Sequence, residues 1–219
     1  MSYSLWPSTA IATGVMAWFT YSLSNASKEQ GLLTQITADI AKESLIVGNG
    51  AFVFVIDFVW TWETAPDDLL GDPITYTFRP VWQNSGNTQT KNMVTMVAIE
   101  LSDSIISDQF DFTAAKTATQ PALIGPKSQI RGGTERPITA AEMVEVAAGK
   151  KFLYLWGWAR YEDIFPDTKP HLTRYCTQVR AAGDLLSRPA KDRPGAFIHF
   201  SIHPRGNCAD DECRLQGLG

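Results

Sequence analysis

The chain has 219 residues, a formal net charge of −4 and a pI near 5.4. No block of Lys and Arg is present, which argues against nucleic-acid binding through phosphate neutralisation. Three cysteines, Cys176, Cys208 and Cys213, are an odd and small set, unlike a disulfide framework and compatible with a reducing compartment; a Cys208–Cys213 bridge stays open for an exported domain.

The first charged residue is Lys28. From Leu5 to Leu23 the chain reads LWPSTAIATGVMAWFTYSL, about the length of a helix that crosses a bilayer. Trp6 at one end and Trp18 and Tyr21 at the other suit the two lipid–water boundaries. Ala10 and Gly14 have the spacing that lets a second helix approach. Ser8, Thr9, Thr13, Thr20 and Ser22 dilute the segment and need hydrogen-bond partners in lipid, which points to a neighbouring membrane protein. Two other readings stay open: a secretory signal cleaved near Ser24-Asn25-Ala26, and a hydrophobic helix buried in a soluble fold. Lys28 and Lys42 follow the segment and no basic residue precedes it, so the positive-inside rule favours a cytoplasmic main domain, with a periplasmic one as the alternative.

Residues 28–46 have helical periodicity, with Leu33, Ile36 and Ile40 on one face, ended by Gly48-Asn49-Gly50. The period then becomes two. Phe52, Phe54, Ile56, Phe58, Trp60 and Trp62 alternate with smaller or polar residues, which predicts a strand with one buried aromatic face. A second strand is expected over 73–84, at an edge or bulged because Pro80 cannot donate to a ladder. A third covers 91–101, with Met93, Val97, Ile99 and Leu101 inward. Residues 102–126 read as a long loop pinned by Phe110 and Phe112, followed by a short strand at 128–131.

Thr139 and Glu142 have capping-box spacing and start a small helix with Met143, Val146 and Ala147 on one face, stopped at Gly149. FLYLWGWARY over 152–161 is apolar on both faces and reads as a central strand; Leu172–Val179 returns beside it. After a polar linker over 181–195, Ala196–Ile202 forms the last strand, with Ile198, Phe200 and Ile202 inward. About seven strands with no βαβ alternation predict a mainly β protein. The expected architecture is an immunoglobulin-like antiparallel β-sandwich with an N-terminal transmembrane helix and one small inserted helix. The divisions are a transmembrane anchor over 1–27, a helical connector over 28–50, and the sandwich with its acidic, Cys-containing tail over 51–219.

Several segments together carry a resemblance: the hydrophobic N-terminal helix leading into AFVFV, then FRPVWQNSGNTQTKN, YLWGWARYEDIF, LTRYCTQV and NCADDEC. They resemble a group of uncharacterised bacterial proteins with one N-terminal membrane helix and a C-terminal β-sandwich. The resemblance spans most of the chain and implies single-pass placement in the bacterial inner membrane, but no chemistry.

Motifs for nucleotide binding and hydrolysis are absent, as is Cys-x-x-Cys. His199 and His203 would stand roughly 13 Å apart on a strand, too far for one zinc ion whose ligands each lie about 2 Å away. His203, Cys208 and Cys213 gather donors that zinc accepts, without the usual spacing. Around the hairpin, Tyr161, Asp163, Asp167 and His171 form the candidate binding set, because His titrates near neutrality and carboxylates can orient it. No catalytic residue and no cofactor is assigned. The expected function is a membrane-anchored interaction module, an accessory subunit of a membrane complex. The alternatives are an exported ligand-binding domain and a metal-assisted enzyme.

Overall fold

The computed structural model describes residues 6–64, 74–107, 110–112, 121–133, 135–166, 168–186 and 195–215, with side chains described from 13 to 213. The chain divides into two compact units, Met1–Gly48 and Asn49–Gly219.

The first unit is built on one helix, α1 (Trp6–Asn49), in which the periodic stretch expected over 28–46 continues the helix that begins at Trp6. Nothing between residues 24 and 47 breaks it, because Gly31 is a lone glycine there and α1 holds no proline after Pro7. The Thr20 hydroxyl donates to Met16 O at 2.8 Å, so this hydroxyl is satisfied within its own helix. Among the described residues no helix is long and apolar enough to cross a membrane. Length is not what α1 lacks; Thr13, Thr20, Ser22, Ser24 and Asn25 dilute its apolar stretch. The transmembrane span expected over Leu5–Leu23 is therefore not supported by the hydropathy of the described helix. Gly14, Trp18 and Tyr21 lie on α1, with both rings exposed; the side chains of Trp6 and Ala10 lie outside the described residues.

The second unit is mainly β, in two antiparallel sheets. In the first, β1 (Val53–Thr64) pairs with β2 (Ile74–Asn84), and β2 also pairs with the short strands β4 (Gln129–Arg131) and β5 (Ile138–Thr139). The second runs β3 (Lys91–Ser102), β6 (Phe152–Glu162), β7 (His171–Gly183), β8 (Ala196–Ile202), with β9 (Cys208–Ala209) added to β7. Tyr76, Phe78 and Trp82 of β2 share one core with Leu155 of β6 and Tyr175 and Val179 of β7, so the sheets pack face to face. Fully burying each large apolar side chain stabilises by about 1.5–3 kcal/mol.

The alternation of β1 is not continuous. A bulge between Val55 and Asp57 shifts the register against β2. Before it Val53 and Val55 face the core; after it Phe58, Trp60 and Trp62 do. Phe52 and Ile56 are exposed, so the single aromatic face expected from the sequence is split by one inserted residue. Pro80 is tolerated on a strand paired along both sides. Its carbonyl accepts from Gly132 N–H at 2.7 Å, so its nitrogen faces the gap between β4 and β5, where no strand asks for a donor.

Of the loop expected over 102–126, residues 108–109 and 113–120 lie outside the described residues. Ile106, Phe110 and Phe112 cover Tyr154, Trp156 and Cys176 on the outer face of the second sheet, which is why β6 is apolar on both faces. Helix α2 (Ala140–Ala147) has the full capping box: Thr139 Oγ1 accepts from Glu142 N–H at 3.2 Å, and a Glu142 carboxylate oxygen accepts from Thr139 N–H at 2.8 Å. Met143 and Val146 are buried, while Ala147 is exposed instead of inward. Ile202 also departs from the expected alternation. It is 84% exposed at the end of β8. Last comes α3 (Asp211–Leu215).

Candidate functional site

β6 and β7 form a hairpin in which Tyr161 is directly opposite His171. That pairing lays the two rings together, with centroids 5.0 Å apart and planes at 20°. Asp163 follows the end of β6, and its side chain turns back under His171. Asp163 Oδ2 lies 2.8 Å from His171 Nε2, while Asp163 Oδ1 accepts from Ala51 N–H at 2.7 Å. On the other side of the ring, Nδ1 lies 2.9 Å from Oδ2 of Asp210. Asp210 Oδ1 accepts from Leu172 N–H at 2.9 Å, and Asp210 N–H donates to Leu172 O at 2.8 Å.

An imidazole offers two N–H donors only when protonated. Two carboxylates on its two nitrogens therefore select the imidazolium. The hydrogen bond to Asp210, with that to Asp163, raises the His171 pKa to about 9 against the opposing effect of burial. Tyr161 places its ring face against this cation, a favourable cation–π geometry. Burial pushes the Tyr161 hydroxyl up to about 12, so it stays protonated. That hydroxyl accepts from Val53 N–H at 3.2 Å. Asp163 is only 4% exposed, and its charge is matched by His171 and Ala51 N–H.

The cluster therefore holds the chain where it enters the sandwich. Ala51 and Val53 are gripped by Asp163 and Tyr161, and Phe52 N–H donates to Asn84 Oδ1 at 3.1 Å. Asn84 is fully buried. Its amide donates to Thr88 O at 2.7 Å and to Gly125 O at 3.2 Å, while its oxygen also accepts from Gly86 N–H at 3.0 Å. Gly86 is required here: a Cβ would come 2.1 Å from Gly50 O.

Tyr161, Asp163 and His171 are thus brought together, whereas Asp167 lies outside the described residues. Asp210 was missed as a partner, although it sits between two cysteines in the acidic tail; a bridge there would have marked it as held. Cys208 and Cys213 are joined in a disulfide. Their sulfurs are not available as thiolate ligands, which removes the donor set of His203, Cys208 and Cys213. The physical reason is proximity, since β9 and the turn into α3 bring the two chain positions together. His203 is turned elsewhere, with Nδ1 3.1 Å from Arg205 O and its ring edge-on to Tyr154. Among the described residues no group of three His, Cys, Asp or Glu side chains could hold a metal ion. The direct His–carboxylate contacts leave no room for an ion that needs about 2 Å to each ligand.

Cys176 is the free thiol, buried among the outer-face aromatics, and burial pushes it up to about 12. A thiol kept protonated is a poor nucleophile. A half-open cleft of ≈ 260 Å³ lies between the end of α2 and β7, lined by Val146, Lys151, Phe152, Gln178 and Arg180. Lys151 is bound there to Glu145 at 2.8 Å. Compared with protein-family models, curated proteins and solved structures, the chain matches none.

Proposed function

We propose that this chain is an interaction module whose helix docks among other helices of a membrane complex while the β-sandwich serves as its recognition body. One observation carries this reading. Val15, Met16, Trp18, Phe19, Tyr21 and Leu23 are all exposed on α1, and successive steps of 100° spread them over roughly 220° of its circumference, with Thr20 and Ser24 on the remaining strip. An exposed apolar arc that wide is one that other protein or lipid covers. Its hydroxyl content, too high for a lone crossing helix, favours protein neighbours over bare lipid.

The Cys208–Cys213 bond supports placing the sandwich on the oxidising, periplasmic side of the inner membrane rather than in the cytoplasm, because disulfides persist in oxidising compartments. The saturated His171 cluster supports a non-enzymatic role. Both imidazole nitrogens are engaged by carboxylates, so no lone pair is left to take a proton from a substrate. An immunoglobulin-like kinship, and membership of the bacterial group that the sequence resembles, are part of the same proposal. The change of sheet between β2 and β3 is a connection such sandwiches use.

Detergent extraction and affinity purification of the full chain test the proposal, beside a variant lacking residues 1–48. The full chain is expected to sediment with membranes and to co-purify with a membrane protein, and the shortened chain to be released as a folded β body. Recovery of the full chain alone in the high-speed supernatant would end this reading.

A further inference from the structure

We infer that the Cys208–Cys213 bond is an oxidation-set catch that fixes residues 50–53, the root through which α1 joins the sandwich. The inference concerns the β body alone and does not depend on what α1 docks onto.

The segment that carries Asp210 has little structure of its own. β9 is two residues long and α3 is five, and neither length is stable without tertiary support. Asp210 also sits at φ 46, a left-handed conformation uncommon for a non-glycine residue. The bridge closes residues 208–213 into a loop and removes most of the open alternatives. Cys213 N–H then donates to Asp210 O at 3.1 Å, and the Asp210 carboxylate is presented to His171.

From there the path is continuous. Asp210 orients the imidazole; the imidazole holds Asp163 at 2.8 Å and stacks on Tyr161; those two side chains accept the N–H groups of Ala51 and Val53. Opening the loop frees Asp210, leaves His171 with one carboxylate, and lets the ring turn away from Asp163 and Tyr161. The root loses its grip without any change in the central strands.

Closure is a thiol–disulfide exchange with a small disulfide such as oxidised glutathione. One S–S bond forms in the protein and one breaks in the reagent. The two electrons of the protein thiols reduce the reagent, and their two protons end on the two reagent thiolates. Cys176 stays outside this exchange because it is 1% exposed and protonated. Cys208 and Cys213 are themselves buried, so reduction requires the tail to open first, and the catch is stable once closed.

Hydrogen–deuterium exchange of the full-length protein provides the test. Amides 51–53 are followed in oxidised glutathione, after reduction with dithiothreitol, and in a Cys208→Ser/Cys213→Ser double variant. Exchange there is expected to rise by about tenfold on reduction and in the double variant, the factor set by net loss of one hydrogen bond. Amides 154–158 of β6 are expected to stay protected. Asp210→Asn keeps the bond but weakens its contact with His171, so it is expected to raise exchange at 51–53 with the disulfide intact. A role of the bridge confined to the tail would not move that readout. Equal protection of 51–53 in oxidised and reduced protein, or unchanged protection in Asp210→Asn, overturns the inference. Should the double serine variant fail to fold, reduction of the folded wild type and oxidised Asp210→Asn decide the matter.

Discussion

His171 Nε2 and Asp163 Oδ2 lie 2.8 Å apart, and through this contact a hairpin of one sheet holds the first residues of a strand in the other. The contact is local across the β6–β7 hairpin, but its consequence reaches Ala51, far away in sequence. That is why a histidine whose two nitrogens are both committed matters more for architecture than for proton transfer.

His171→Gln is expected to destabilise the protein by about 3 kcal/mol, because a buried carboxylate that loses its cationic partner keeps most of its desolvation cost. Asp210→Asn is expected to cost only about 1 kcal/mol, since Asp210 is 45% exposed and solvent screens its charge. Urea unfolding of the two variants beside the wild type measures both. Equal losses would mean that burial of Asp163 does not govern the cluster.

The same cluster sets a pH dependence with a definite sign. The hydrogen bond to Asp210, with that to Asp163, raises His171 from 6.5 to about 9 in the folded chain. Folding is therefore favoured by proton binding. The contribution is complete below 6.5, declines as pH rises, and is lost above about 9. The stability gap between wild type and His171→Gln should shrink between about pH 6 and pH 10, and the His171 ring protons should titrate near the upper end. A gap that stays constant over this range would contradict the doubly bonded imidazolium.

Tyr175 offers a test in the opposite direction. Its ring packs against Trp82 with centroids 5.4 Å apart, yet its hydroxyl is buried without a hydrogen-bond partner among the described residues. Burial raises its pKa, so the group is a neutral hydroxyl that gains nothing from its site. Tyr175→Phe should be neutral or stabilising by up to about 1 kcal/mol in thermal or urea unfolding. A loss of more than that would reveal a partner for the hydroxyl.

At the root of α1, Gly86→Ala should be costly. The new Cβ would sit 2.1 Å from Gly50 O and 2.7 Å from the Ala51 Cα, and both are backbone atoms that cannot swing aside. A loss of about 2–3 kcal/mol, with increased exchange at amides 51–53, is expected. Thr139→Ala supplies the contrast: loss of the α2 cap should cost about 1 kcal/mol and leave those amides untouched.

Local chemistry made much of the fold legible in the sequence. Thr139 and Glu142 are three residues apart and cap α2 as expected, because a capping box needs nothing beyond one helical turn. The strands β1, β2 and β3 follow from period-two patterning, which reflects which side of a pleated backbone meets water, and β6 from a run apolar on both faces. Of the candidate set Tyr161, Asp163, Asp167 and His171, the first two meet His171 because a hairpin brings close sequence neighbours face to face. Tertiary packing decided the rest. The bulge at Val55/Asp57 reverses the facing of β1 because register against β2 outweighs strict alternation. Pro80 fits a doubly paired strand only because β4 and β5 leave a gap beside it. Asp210 became the second partner of His171 only when a disulfide and a two-residue strand carried the tail back to β7, and contacts between such distant positions leave no periodic trace in a chain.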